Sequence, residues 1–253
     1  LYTAYTGLAN EQNRMDILTN NLANASTVGY KKEGATSQAF DDVLSYKIKD
    51  TSETVNTAKR MGTLNLGVKI GENYTDYSQG SFRITGNTYD LALAGDGFFT
   101  VQFTNKDEET STKYTRDGSF TLDKQGYLVT ADGDYVMGTR GKIKLNPLKE
   151  TTIDDNGFIY QDGQMVTALK ITDFVDYDYL EKYGENYYQP VEGAKTQPSD
   201  AAVKSGYLEM SNVQVVSEMV NLISITRAYE SNQKIVQTYD ETMDIAVNQI
   251  GKI

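Results

Sequence analysis

This 253-residue chain has no cysteine, no histidine and no tryptophan, and only three prolines. Without cysteine there can be no disulfides and no thiolate ligands, a composition suited to work in any redox environment. Losing histidine removes the commonest metal ligand and the only side chain that ordinarily titrates between about pH 5 and 8. Zinc chemistry, Ser-His-Asp catalysis and Cys-His catalysis are therefore excluded, while carboxylate dyads and Ser-Lys pairs stay open. Positive charge is scarce as well, with 24 Lys and Arg against 35 Asp and Glu and a net charge of −11. So acidic a chain lacks the electrostatic footprint for a phosphate backbone, and no nucleic-acid partner is expected. No apolar run approaches the roughly 20 residues of a membrane span. The opening LYTAYTGLANEQNRMD has no basic n-region and no continuous apolar h-region, so no cleaved secretory signal is expected.

The prolines (Pro147, Pro190, Pro198) and most of the 21 glycines fall in the middle of the chain, and the two ends read as helices. Ser211 and Gln214 have capping-box spacing, and no Gly or Pro follows before Gly251. Leu222, Ile225, Tyr229, Asn232, Val236, Tyr239, Met243, Ala246, Ile250 and Ile253 then alternate by three and four residues. Only Asn232 is polar, and one buried Asn in such a seam fixes register. This spacing predicts a helix over about 211–250, on the order of 60 Å long at 1.5 Å per residue. At the other end Leu1, Ala4, Leu8, Glu11, Met15, Leu18, Leu22 and Ala25 repeat the pattern. Gly7 costs that helix about 1 kcal/mol relative to Ala. Two such stripes can form an ordinary two-helix core within one chain. The length of the C-terminal helix favours packing between chains.

Between the helices the grammar is β. Alternation runs through LGVKI, YDLALAGDGFFTVQF, YTRDGSFTLDKQGYLVTADGDYVMG and TTIDDNGFIYQDGQMVTALKI. Asp-Gly, Gln-Gly and Asn-Gly turn signals recur about every 8 to 12 residues, as in an all-β sandwich or barrel. The expected fold is mixed: long N- and C-terminal α-helices forming a coiled-coil-like core domain, with an all-β central domain. The expected divisions are 1–40 (helix and turn of the core domain), 41–70 (linker), 71–205 (β domain) and 206–253 (C-terminal helix of the core domain). The Tyr-rich DYDYLEKYGENYY (Asp176 to Tyr188) reads as an edge or loop packed on the sheet, with a contact surface as the alternative.

No catalytic constellation emerges. Gly95-Asp96-Gly97 lacks the third glycine, the Lys and the strand-to-helix context of a phosphate loop, and a turn before Phe98-Phe99 explains it. Asp154 to Gly157 and Ala131 to Asp134 lack the ligand spacing of an EF-hand and read as Asx-turns. Carboxylate pairs such as Asp41-Asp42 suit a glycosidase only at the right separation in space, which a sequence does not give. No cofactor, metal or small-molecule substrate is expected.

Three blocks resemble a known family. Asn20-Asn21-Leu22-Ala23-Asn24, Thr27 and Gly29-Tyr30-Lys31-Lys32 are similar to the N-terminal signature of the bacterial flagellar rod and hook proteins. GYLEMSNVQVVSEMVNLISITRAYESNQKIVQTYDETM (Gly206 to Met243) is similar to their C-terminal signature, and DLALAGDGFFTV with YTRDGSFTLDKQGYLVTADGDYVMG matches their middle. The resemblance is weakest over 46–66 and 140–205, and is greatest to the distal-rod branch. The size of the segment from Asp41 to Gly67 favours that branch's longer-linker member over its paralogue nearer the cell.

That resemblance implies a structural subunit of the basal-body rod, polymerising through its terminal helices into a hollow shaft that transmits torque. The implied partners are further copies of the chain, neighbouring rod and hook proteins, the flagellar type III export apparatus, and ring or bushing proteins of the envelope. Leu8, Met15, Leu18, Leu22, Leu222, Ile225, Tyr229, Val236, Met243 and Ile250 are then the candidate assembly interface. Asn20, Asn21, Ala23, Asn24 and Gly29 form a candidate joint, ending the inner helix and turning the chain toward the β domain. An extracellular adhesin and a wall-cutting glycosidase are the alternatives from other classes.

Overall fold

The computed structural model describes residues 2–40, 43–47, 59–64, 67–104, 109–184 and 186–250. Asp41-Asp42, Leu1 and Ile253, all singled out above, lie outside this set, as do the side chains of the 43–47 and 59–64 strands and of Ile250. The chain divides into two compact units, one of residues 1–22, 33–75 and 215–253 and the other of residues 23–32 and 76–214.

The first unit contains the only two α-helices among the described residues, α1 (Tyr2–Ala23) and α2 (Val215–Ile245), the latter closed by a π-helical turn over Ala246–Ile250. Between them in sequence come antiparallel strands Glu33–Ala39 and Val68–Thr75, in register from Glu33 opposite Thr75 to Ala39 opposite Val68. A second hairpin pairs Val43–Lys47 with Lys59–Leu64. Gly67 allows its strand to begin against α1: its φ is +128°, and a Cβ there would collide with the Thr6 hydroxyl.

The expected coiled-coil-like core domain is not what this unit contains. A coiled coil buries its apolar seam, but the residues that α1 buries are Asn10 and Asn21. Leu8, Met15, Leu18 and Leu22 are only half-buried, and on α2 the seam is covered at Ile225, half-covered at Leu222, Tyr229 and Val236, and exposed at Tyr239 and Met243. The reason is that the hairpin engages α1 through polar side-chain and backbone groups. Asn10 hydrogen-bonds Ser37 Oγ at 3.0 Å, and Asn21 binds the backbone of Glu33. The fold class is therefore β-dominated, with one helix at each end. α2 also starts at Val215 rather than near Ser211, whose Oγ accepts the Val213 N–H at 3.2 Å upstream of the helix. Gly7 of α1 faces the polar position of the α2 seam: a Cβ there would lie 3.0 Å from Asn232 Nδ2, so the missing side chain makes room for the amide.

The second unit is built on a ten-stranded antiparallel sheet. Its path runs from the edge strand Leu180–Tyr183 through Tyr187–Pro190, Thr110–Thr115, Phe98–Thr104, Tyr135–Gly138 and Leu128–Val129 to Thr121–Leu122, and does not close into a barrel. The strand Phe98–Thr104 shows why both faces are covered. Alternate residues point to opposite sides, so Phe99 and Val101 enter one apolar cluster with Leu91, Leu93, Phe120 and Leu128. Phe98 enters another with Tyr114, Phe174, Leu180 and Tyr188. The Tyr-rich stretch forms the edge hairpin Leu180–Tyr183 with Tyr187–Pro190, and the rings of Tyr177 and Tyr188 pack edge-on and tilted against Phe98. No described helix is long and apolar enough to cross a membrane.

A half-buried carboxylate on this unit gives a first prediction. Asp117 accepts hydrogen bonds from Ser119 N (2.9 Å), Ser119 Oγ (2.6 Å) and Asn186 Nδ2 (3.3 Å), while Asn186 Oδ1 is buried with no hydrogen-bond partner among the described residues. Burial raises the Asp117 pKa above its ordinary 3.8, against those hydrogen bonds. A raised carboxyl pKa means that the folded state holds the proton more firmly than the unfolded one. Its stabilising contribution is present below the ordinary value and lost as pH rises through the folded pKa. Asp117→Asn keeps the Ser119 bonds and, with the Asn186 amide turned over, keeps the bond to that residue while removing the charge that burial penalises. Its melting temperature at pH 7 is expected to exceed the parent's by about 2–4 °C, equivalent to about 1 kcal/mol. Scans at descending pH should show the gap closing.

Candidate assembly surface and the clamp at the chain's two ends

Asn21 is fully buried, and its side-chain amide imitates a peptide group. Its Nδ2 donates to the Glu33 carbonyl at 2.7 Å and its Oδ1 accepts the Glu33 N–H at 2.9 Å. An apolar side chain at this position would leave both Glu33 groups without these bonds. Asn20 is exposed on the last turn and Ala23, the final residue of α1, is exposed as well. Asn24 is half-buried; its carbonyl accepts the Thr27 N–H at 3.2 Å and its Oδ1 the Thr27 hydroxyl at 3.1 Å. Gly29 lies well past the helix end, buried, with φ +69°, and donates its N–H to the Glu209 carbonyl at 2.8 Å. A Cβ at Gly29 would run into the backbone of Arg116 and Asp117.

Beside Gly29 sits a charged cluster. Glu209 Oε1 is 2.6 Å from Lys31 Nζ and Glu209 Oε2 is 3.3 Å from an Arg116 terminal nitrogen, with all three side chains at most 3% exposed. Lys31 Nζ also donates to the Ser78 carbonyl at 2.8 Å, and Glu209 Oε1 accepts the Gly80 N–H at 3.0 Å. The Arg116 guanidinium lies over the Phe98 ring, 5.3 Å from its centre. Burial lowers the Lys31 pKa, and the adjacent Glu209 carboxylate opposes that shift. One anion thus joins the segment after α1, the strand Tyr207–Glu209 before α2 and the body of the sheet. Each of its three residues comes from a different one of the quoted motif blocks, yet the sequence reading singled out none of them.

The sequence reading also missed a second stripe on α2. Val216, Met219, Val220 and Ile223 are 76%, 46%, 61% and 55% exposed and recur on one face of the helix, opposite the Leu222–Val236 seam at 3.6 residues per turn. The signal was present in VVSEMVNLISI, which is apolar on both faces. Contiguous exposed apolar patches are the kind of surface that serves protein–protein contact. Among the described residues no cluster of three or more acidic side chains is arranged to hold a metal ion.

Three family descriptions match parts of the chain: "Flagella basal body rod protein" over residues 1–31, "Flagellar hook protein FlgE/F/G D1 domain" over 92–168 and "Flagellar basal body rod FlgEFG protein C-terminal" over 204–250. The flagellar basal-body rod protein FlgG of Bacillus subtilis is 35% identical over 98% of this chain and 97% of its own length. The chain belongs to the flagellar basal-body rod protein family. Other similar rod proteins are FlgG of Buchnera aphidicola subsp. Schizaphis graminum, 35% identical over 96% of both chains, and FlgF of Caulobacter vibrioides, 35% identical over 98% of both. As a rod-family protein this chain is a structural subunit of the flagellar basal body, so its helices are read as assembly elements rather than as walls of a catalytic cleft.

Proposed function

We propose that this rod protein is the distal, FlgG-type subunit, polymerising through its terminal helices into a hollow shaft that carries torque from motor to hook. The observation that carries the reading is similarity along nearly the whole chain to FlgG proteins of several bacteria. A helical polymer resists torsion when its seams resist shear, so its work is mechanical rather than catalytic. Two sets of residues supply the seams: the exposed row Val216, Met219, Val220 and Ile223, and the candidate interface from Leu8 to Leu22 and from Leu222 to Ile250. Asn20, Asn21, Ala23, Asn24 and Gly29 serve as the joint at which the chain leaves α1. Self-association and contact with neighbouring rod and hook proteins go with this role, as do type III export and a ring or bushing around the shaft.

The FlgF-type paralogue is the second reading, favoured by the Caulobacter relative of equal identity. Electron microscopy of cells lacking the chain tests the shared claim. Hooks and filaments should be absent, returning with the wild-type chain but not with one truncated after Gly206; normal filaments without the chain overturn it. Gold-labelled copies on isolated rods then separate the paralogues, since a FlgG-type subunit decorates the hook-side segment and a FlgF-type subunit the cell-side segment.

A further inference from the structure

The chain passes between its two units at four places, and three of them, after Lys32, after Thr75 and before Val215, adjoin one hydrogen-bonded knot inside the second unit. Asn212 is its hub. Its Oδ1 accepts the Lys32 N–H at 2.8 Å. Its Nδ2 donates to the carbonyls of Asp76 (2.8 Å) and Ser78 (3.2 Å) and lies 3.0 Å from Ser78 Oγ. The Asp76 N–H in turn donates to the Lys32 carbonyl at 2.8 Å, and Lys31 Nζ donates to the Ser78 carbonyl. A primary amide is the side chain that offers both an acceptor oxygen and a pair of donor hydrogens at one point. A carboxylate could serve Lys32 but would repel two carbonyl oxygens, and an alanine would serve none.

We propose that Asn212 is a positioning residue that gathers three of the four segments by which the second unit is joined to the rest of the chain. Load entering along any one of them is shared among all three before it reaches the sheets. The inference rests on the polymer reading for its mechanical part, while the knot itself is testable in the free subunit.

The experiment is amide hydrogen exchange on the full-length free subunit, followed by motility of cells carrying only the variant. In Asn212→Ala the amides of Lys32 and Asp76 should exchange at least tenfold faster, with the strand Phe98–Thr104 unchanged. Asn212→Asp, which keeps an acceptor for Lys32, should speed Asp76 and spare Lys32, a split that general loss of stability would not produce. It also serves if Asn212→Ala does not fold. Cells carrying either variant should build rods and filaments but stop swimming, or shed filaments, in viscous medium where the parent still swims. Unchanged exchange at both amides, or equal acceleration of the core strand, overturns the knot. Faster local exchange with normal swimming under viscous load overturns its mechanical role. Failure of the polymer reading is distinct: cells lacking the chain would then make normal filaments.

Discussion

Glu209→Leu is expected to lower the stability of the second unit by about 3–5 kcal/mol, the usual cost of removing one partner from a buried ion pair. At about 2–4 °C per kcal/mol for a protein of this size, the melting temperature should fall by on the order of 10 °C. Two cations lose their common counter-charge, and they respond differently. Lys31, whose pKa burial already lowers, can shed its proton and remain as a neutral amine donating to Ser78. Arg116 cannot deprotonate, and its Nε is already buried with no hydrogen-bond partner among the described residues. The residual penalty therefore falls on Arg116. Adding Arg116→Met and Lys31→Met to the leucine variant should recover most of the loss, because an apolar replacement of a whole buried ion cluster is close to neutral or better. Urea unfolding of the three proteins checks this. A single Glu209→Leu variant within 1 kcal/mol of the parent would mean that the cluster holds nothing together.

That cluster also shows where the sequence stops being readable. Lys31 and Glu209 are 178 residues apart, and neither sits in a periodic pattern that would point to a partner. Lys31-Lys32 looks like a solvated basic pair, yet Lys31 is 1% exposed. Only the fold reveals that the segment after α1 and the strand before α2 reach the same place. Gly29 was legible as a glycine needed for positive φ, but the need comes from the Arg116-Asp117 backbone pressed against it rather than from a helix end. The strands were easier. In DLALAGDGFFTVQF the alternation and the Asp-Gly turn are local properties, and the strands Leu91–Ala94 and Phe98–Thr104 follow from them. The helices were legible as helices, whereas their packing was not. A spacing of three and four residues gives a face, but it does not say that the chain between the helices will return as a hairpin and claim α1 through Asn10 and Asn21.

Val220→Asp, alone or with Ile223→Asp, is expected to leave the free subunit folded and to abolish rod assembly. Both positions are more than half exposed, so the new carboxylate stays hydrated in the monomer. The change in helix propensity is at most about 0.7 kcal/mol. Once a neighbouring subunit covers the row, the same carboxylate must leave water without a partner, at several kcal/mol. Every 1.4 kcal/mol is about a tenfold loss in affinity, so contacts along the whole polymer weaken together by several orders of magnitude. Val236→Asp is also expected to stop assembly, but Val236 is half-buried within its own unit, so the charge damages the subunit as well. Comparing the two separates a surface used between subunits from one used within a subunit. Circular dichroism and thermal melting should match the parent for Val220→Asp and fall for Val236→Asp, with neither variant restoring filaments to cells that lack the chain. Full-length rods built from the Val220→Asp/Ile223→Asp chain would show that this stripe faces water in the polymer too, and assembly would then have to run through the candidate interface from Leu8 to Leu22 and from Leu222 to Ile250.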